Sequence, residues 1–163
     1  KSNINYNKNT QWVISYAKKH PNEMFVLSGI RVKNSNVDID NIKNVKKKNV
    51  DIDNIKNVKW LGYLSDQEIV ALYRECKAFI FPSIHEGFGI PPMEALSQGA
   101  KIIVANTTCL PEIYQGCAIY VDPYDTNVDL DKLLKDNKVD DSNKVLERYS
   151  WKESALKLYK LIK

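Results

Sequence analysis

Apolar positions along the chain fall into short blocks that follow two different periods. Residues 10–19 carry apolar side chains at the spacing of one helix face and end in lysines before Pro21, which predicts an amphipathic helix. Short uninterrupted apolar runs bounded by turn residues predict buried strands. These runs are Met24–Leu27, Val58–Leu61, Ala78–Phe81, Ile102–Val104 and Ala118–Val121.

Helices are predicted between the strands. Ser65 with Glu68 three residues later forms a capping box that starts a helix running to about Cys76. A second helix is predicted from Pro92 to Gln98, with Gly99 at its end. Beyond Pro123, apolar stripes predict further helices, the last with Trp151, Ala155, Leu158 and Ile162 on one side. Apolar strands alternating with helices are typical of a parallel sheet covered on both faces, so we expect a Rossmann-like, doubly wound α/β fold of five or six strands.

Two segments of the chain are identical. The residues NVDIDNIKNVK occur at 36–46 and again at 49–59, and the second copy leads directly into Trp60. We expect the second copy to enter a strand and the first to be an insertion in a surface loop, because loops tolerate added length at low cost in free energy. The chain of 163 residues otherwise suits one domain over residues 1–163.

Composition and charge narrow the classes of function. The formal net charge is +4 and the lysines are spread along the chain without interleaved aromatics, so we expect no nucleic-acid partner. The longest apolar runs are of strand length, too short for a membrane span. The three cysteines and two histidines lack the spacing of metal ligands, so we expect free thiols and no metal site.

The richest candidate chemistry lies in the turn that follows the strand ending at Phe81. In an open parallel sheet, ligands bind at the carboxyl ends of strands. Here the N–H groups of Gly87, Phe88 and Gly89 and of the following helix start are placed to donate to phosphate or sugar oxygens. The carboxylates of Glu86 and Glu94 suit the hydroxyls of a sugar and a ribose, although each also suits a purely structural role in a loop or at a helix start.

The stretch FPSIHEGFGIPPMEALSQGAKIIVAN closely resembles the two-glutamate signature of retaining glycosyltransferases with two Rossmann-like domains (the GT-B fold), family 4 in particular. Other segments resemble blocks of that family in the same order. They are FVLSGI, VKWLGYLSDQEIVALYRECKAFIFPS, CLPEIYQGCAIYVDPYD and YSWKESALKLYKLI. The similarity covers roughly residues 8–163 and implies the carboxyl-terminal, donor-binding domain.

The resemblance also implies roles for residues at matching positions. Glu86 resembles the acid that contacts the donor sugar near the reacting carbon, and is our candidate catalytic residue. Lys8 resembles the lysine that neutralises the diphosphate, and Glu94 the acid that binds ribose. The implied donor-binding set is completed by Leu64 beside the base, by the loop Gly87, Phe88 and Gly89, and by Pro111 and Glu112 in a Pro-Glu loop.

The chain departs from the family pattern near its start. The family's arginine before the lysine falls at about Asn3 here, and the amino-terminal, acceptor-binding domain is expected to be absent. We therefore expect an isolated domain that binds nucleotide and transfers sugar poorly or not at all. His85 also invites a role as general base, but its place in the loop favours a structural reading.

The resemblance thus implies donor binding for retaining transfer from a nucleoside-diphosphate sugar to a glycan or glycolipid, with no cofactor and no essential metal. It implies a cytoplasmic protein and allows peripheral membrane association of a full-length form. The alternatives are a non-catalytic nucleotide-sugar-binding module and an epimerase or phosphorylase of the same architecture. A dehydrogenase is disfavoured because no Gly-x-Gly-x-x-Gly follows the first strand.

Overall fold

A computed structural model describes residues 8–29 and 54–162. Helices and strands alternate through most of this part of the chain. The helices are α1 (Thr10–Lys19), α2 (Asp66–Glu75), α3 (Ile90–Ser97), α4 (Leu110–Tyr114), α5 (Leu130–Asp136), α6 (Asn143–Leu146) and α7 (Trp151–Leu161). The strands are β1 (Phe25–Leu27), β2 (Val58–Trp60), β3 (Phe79–Phe81), β4 (Ile102–Ala105) and β5 (Ile119–Val121).

Every strand pair among the described residues is parallel. β1 pairs with β2, with Phe25 opposite Val58, and β3, β4 and β5 form a second sheet in that order. Strand β4 lies at the centre of this second sheet, and all four of its residues are buried. The predicted parallel α/β fold is confirmed.

The side chains of β4 show how the sheet is covered. Ile102 and Val104 pack in one apolar cluster with side chains of α3 and α4, whereas Ile103 packs in another with side chains of α1 and α5. Successive strand residues point to opposite faces, so these two clusters lie on opposite sides of the sheet. This is the doubly wound arrangement expected from the apolar strands.

Helix starts follow the sequence signals with one correction. Ser65 and Glu68 form the predicted capping box at α2. Helix α3, however, begins at Ile90, two residues before the predicted Pro92. Pro91 and Pro92 fit inside its first turn because the N–H groups that proline lacks there have no partner within the helix.

The second copy of the repeated segment supplies the strand entry, as predicted. Val58 begins β2, and Asn57 before it is buried, with its Nδ2 atom 2.9 Å from the carbonyl oxygens of Ala17, His20 and Glu23. That amide ties the end of α1 and the following turn to the start of β2. The first copy lies outside the described residues.

The last helix, α7, is exposed along its whole length. Trp151 is 85% exposed and Leu158 60%, and the predicted apolar side is not covered by any of the described residues. Ile162, predicted on the same side, follows the last helical residue. Over residues 8–29 and 54–162, no helix is long and apolar enough to cross a bilayer.

Candidate functional site

An ion pair joins the start of the described chain to the turn after β3. The Nζ atom of Lys8 lies 2.5 Å from Oε1 of Glu86 and 5.3 Å from the ring centroid of Phe81. The Glu86 side chain is only 12% exposed and that of Lys8 27%. The two charges, which the resemblance assigns to one ligand, therefore lie together at the carboxyl end of β3.

Glu86 is held by two further contacts. The hydroxyl of Ser83, which is fully buried, donates to the same Oε1 atom at 2.6 Å. The thiol of Cys109 donates to the Glu86 carbonyl oxygen at 3.3 Å, which links the turn to the start of α4. The carboxylate is thus oriented before any ligand arrives. Ser83 was not among the predicted site residues, because its only sequence signal is that of a small polar residue two positions after a buried strand.

The loop Gly87–Gly89 offers backbone donors. Within the described part of the chain, no protein atom accepts the N–H groups of Gly87, Phe88 and Gly89. Gly89 has φ +82, and a Cβ atom there would lie 2.7 Å from Cδ2 of Leu110. Only glycine adopts this conformation in this space without strain.

The start of α3 is closed by a protein side chain. The hydroxyl of Tyr114 donates to the carbonyl oxygen of Gly89. Burial raises the pKa of Tyr114 well above its usual range, an effect that the backbone of Met93 partly opposes. Because Pro91 and Pro92 also lack N–H groups, the first three residues of α3 offer a ligand only the N–H of Ile90, and the other candidate donors lie in the loop before the helix.

Lys8, Leu64 and Glu94 line one groove that runs along β1 and β3. Tyr73, on α2, also lines it, and its hydroxyl interacts with the Glu94 carboxylate. Burial, followed by the charge of Glu94, raises the pKa of Tyr73 to about 12, so the hydroxyl stays protonated at neutral pH. Tyr73 was not among the predicted site residues, because its position on the buried side of an amphipathic helix suits a core residue equally well.

Other candidates lie apart from this groove. Phe88 packs edge-on against Tyr149, with ring centroids 5.1 Å apart, so the loop contacts the segment leading into α7. Pro111 and Glu112 lie in the first turn of α4, and the Glu112 side chain is exposed. His85 is exposed as well. Among the described residues, none of these four candidates lines the groove, and neither do Glu86, Gly87 and Gly89.

Candidate metal ligands do not converge in the described ranges, where no group of three or more His, Cys, Asp or Glu side chains has suitable geometry. The three cysteines are free thiols, and Cys117 is buried. That sugar transfer needs no metal ion stays a prediction.

Comparison with known proteins relates this site to a family. The family profile described as Glycosyl transferases group 1 matches residues 1–152. Serotype-specific mannosyltransferase WbdA of Escherichia coli is 54% identical over 52 residues, which are 32% of this chain and 6% of that protein. O-antigen chain mannosyltransferase B of Escherichia coli is 33% identical over 97 residues, 60% of this chain and 23% of that protein.

Among solved structures, sucrose-phosphate synthase from Thermosynechococcus elongatus has a TM-score of 0.72 at 17% identity, covering 97% of this chain and 42% of that one. At that identity the likeness shows the fold alone. The chain spans less than a quarter of the length of the two mannosyltransferases.

Proposed function

Because the chain belongs to the glycosyl transferases group 1 family, we propose that it binds a nucleoside-diphosphate sugar for transfer to a glycan or glycolipid acceptor. In this proposal residues 1–163 act as one donor-binding domain, and a separate acceptor-binding domain completes the enzyme. Without that domain the chain binds donor and transfers sugar poorly or not at all.

The observation that carries the proposal is the Lys8–Glu86 pair beside the unpaired N–H groups of Gly87–Gly89. When a glycosyl bond to a diphosphate breaks, negative charge grows on the leaving phosphate. An ammonium group and backbone N–H groups held in place beforehand stabilise that charge without having to reorganise. Glu86 then accepts hydrogen bonds from the sugar hydroxyls, next to the reacting carbon.

The second half of the site would hold the nucleoside. Glu94 is exposed in the groove beside the Tyr73 hydroxyl, and its carboxylate can accept hydrogen bonds from two ribose hydroxyls. Leu64 lines the same groove and offers an apolar wall for the base. Pro111 and Glu112 are proposed to contribute through the backbone of α4, because the Glu112 side chain is exposed outside the groove.

The relatives suggest the sugar and the acceptor. Both are mannosyltransferases, and one is named for O-antigen chains, so we propose a mannosyl donor and a bacterial surface polysaccharide acceptor.

Transfer is proposed to retain configuration: the acceptor oxygen bonds to the anomeric carbon on the face that the diphosphate leaves, and the departing phosphate oxygen takes the acceptor proton. The reaction is proposed to need no metal. It is placed in the cytoplasm, with peripheral membrane association of the full-length protein.

Calorimetric titration of the chain with UDP, GDP and ADP tests donor binding and identifies the base. One nucleotide is expected to bind saturably. Glu94→Ala should weaken that binding by about 1–3 kcal/mol, the usual loss for a hydrogen bond to a charged group. Glu147→Ala, at the exposed end of α6, is the matched control and should leave the affinity unchanged.

Incubation with the corresponding nucleotide sugars separates the rival functions. The donor-binding domain is expected to leave the sugar intact when no acceptor domain is present. Epimerised sugar, or sugar 1-phosphate formed from added phosphate, would instead indicate an epimerase or a phosphorylase. Absence of binding to all three nucleotides would contradict the proposal.

A further inference from the structure

Asn9 stands between Lys8 and helix α1 with an unusual backbone. Its φ of 52° and ψ of 39° lie in the left-handed region, which Asn enters more readily than most other residues. Its carbonyl oxygen accepts the N–H of Trp12 at 2.9 Å, so it begins the helix. Its side chain makes no capping bond, although Asn is a preferred cap for helix starts. The amide is therefore used for something else.

The side-chain amide of Asn9 joins two separate strand ends. Its Nδ2 atom donates to the carbonyl oxygen of Pro82 at 3.0 Å and to that of Pro123 at 2.7 Å. Pro82 directly follows β3, Pro123 closely follows β5, and both are buried. Because β3 and β5 flank β4, the amide spans the carboxyl edge of the sheet where the candidate site lies.

The Pro82 anchor lies between two residues that contact charged groups of the site. Pro82 lies between Phe81, whose ring the Lys8 ammonium approaches, and Ser83, whose hydroxyl orients Glu86. A fixed Asn9 thus sets the backbone of Lys8 in register with the turn that carries the carboxylate. From this geometry we infer that Asn9 is a positioning residue, which holds the Lys8 ammonium where the proposed function requires it for the donor diphosphate.

Few residues can both adopt a left-handed backbone and donate side-chain hydrogen bonds to two carbonyl oxygens. Glycine adopts the left-handed conformation but has no donor, and aspartate has the size of asparagine but cannot donate to two carbonyl oxygens. Helix α1 has a second tether, because Trp12 Nε1 lies 3.0 Å from the Asp122 carbonyl oxygen and 2.7 Å from that of Asp125. Loss of the Asn9 amide should therefore loosen Lys8 while the helix stays in place.

The test compares the full chain with its Asn9→Gly and Asn9→Asp variants, titrated with the nucleoside diphosphate that binds and with the matching nucleoside. Both variants should bind the diphosphate about tenfold more weakly, whereas nucleoside affinity should change less than about twofold. In a Lys8→Ala background, Asn9→Gly should cause no further loss, since the group being positioned is gone. An equal loss for both ligands, or an additive loss in the double variant, overturns the inference.

A second readout needs no nucleotide. The rate of Lys8 acetylation by an amine-reactive reagent, followed by mass spectrometry, should be low in the parent chain because the ammonium is paired with Glu86. It should rise in Asn9→Gly toward that of the exposed Lys132. An unchanged rate overturns the inference. A raised rate in a chain that binds no nucleotide would refute the proposed function while supporting the positioning of Lys8 by Asn9.

Discussion

Tyr114 and Gly89 are joined by a hydrogen bond from the phenol to the backbone carbonyl, across the point where the glycine-rich loop enters α3. The tyrosine is completely buried and the glycine has φ +82. The loop that carries the candidate donor groups is therefore fixed at its end by a core side chain, and its shape should depend on core packing as much as on any ligand.

Gly89→Ala is expected to destabilise the domain by about 2–4 kcal/mol. The left-handed conformation costs a non-glycine residue about 1–2 kcal/mol, and the new methyl group would clash with the buried Leu110. Chemical denaturation measures the change. Gly87→Ala is the matched control, because a Cβ atom there meets nothing within 4 Å, and it should cost well under 1 kcal/mol. Equal costs for the two variants would contradict this view of the loop.

Stability is expected to fall between pH 10 and pH 12. Burial raises the pKa of Tyr73 to about 12 and that of Tyr114 further, whereas unfolded tyrosines lose their protons near pH 10. In that window the unfolded state releases protons that the folded state keeps, so rising pH favours unfolding, by up to about 1.4 kcal/mol per pH unit for each tyrosine. Denaturation at a series of pH values measures the slope, and Tyr73→Phe should reduce it. A flat profile would show that neither phenol is desolvated.

Tyr73→Phe should also weaken nucleotide binding by about three- to tenfold, because the Glu94 carboxylate loses its interaction with the neighbouring phenol. The phenylalanine ring keeps the edge-on contact with Phe79, whose centroid lies 5.1 Å away, so packing changes little. Calorimetric titration of both chains at neutral pH checks this. In a Glu94→Ala background, Tyr73→Phe should cause no further loss of nucleotide affinity, because the two residues act through one contact. A further loss would contradict this role of Tyr73.

Deletion of residues 36–48 is expected to leave the fold and nucleotide affinity unchanged. The remaining copy supplies Asn57 and Val58, which the structure uses to enter β2. The deletion roughly halves the connection between Gly29 and Asn54, which should stabilise the domain by about 0.6 kcal/mol. Chemical denaturation of the two chains measures the difference. Loss of cooperative unfolding would mean that the first copy has a structural role.

The features predicted correctly from the sequence are those encoded within a few neighbouring residues. The capping box at Ser65, the apolar run of β4 and the repeated entry to β2 each carry a local signal, and each is found in the structure. Helix α3 begins two residues before its predicted start, because the turn at Gly89 lets the chain become helical before its prolines.

The contacts that assemble the site are not local. Lys8 and Glu86 are 78 residues apart in sequence, and the Asn9 amide reaches 114 residues along the chain to Pro123. The spacing of apolar residues in the sequence does not indicate such a pairing, because the pairing arises only when the carboxyl ends of separate strands meet at one edge of the sheet. The family resemblance pointed to Lys8 and Glu86, but the residues that hold this part of the site, Ser83 and Asn9, have no local pattern that sets them apart.

Strand β4 is buried along its full length and paired on both sides. Its amide protons can reach water only when the domain opens as a whole, whereas those of α7, whose side chains are all exposed, can exchange by local fraying. Deuterium uptake at Ile103 and Val104 would therefore report the global free energy of unfolding under native conditions, with no need to melt a chain whose exposed apolar helix favours aggregation when heated.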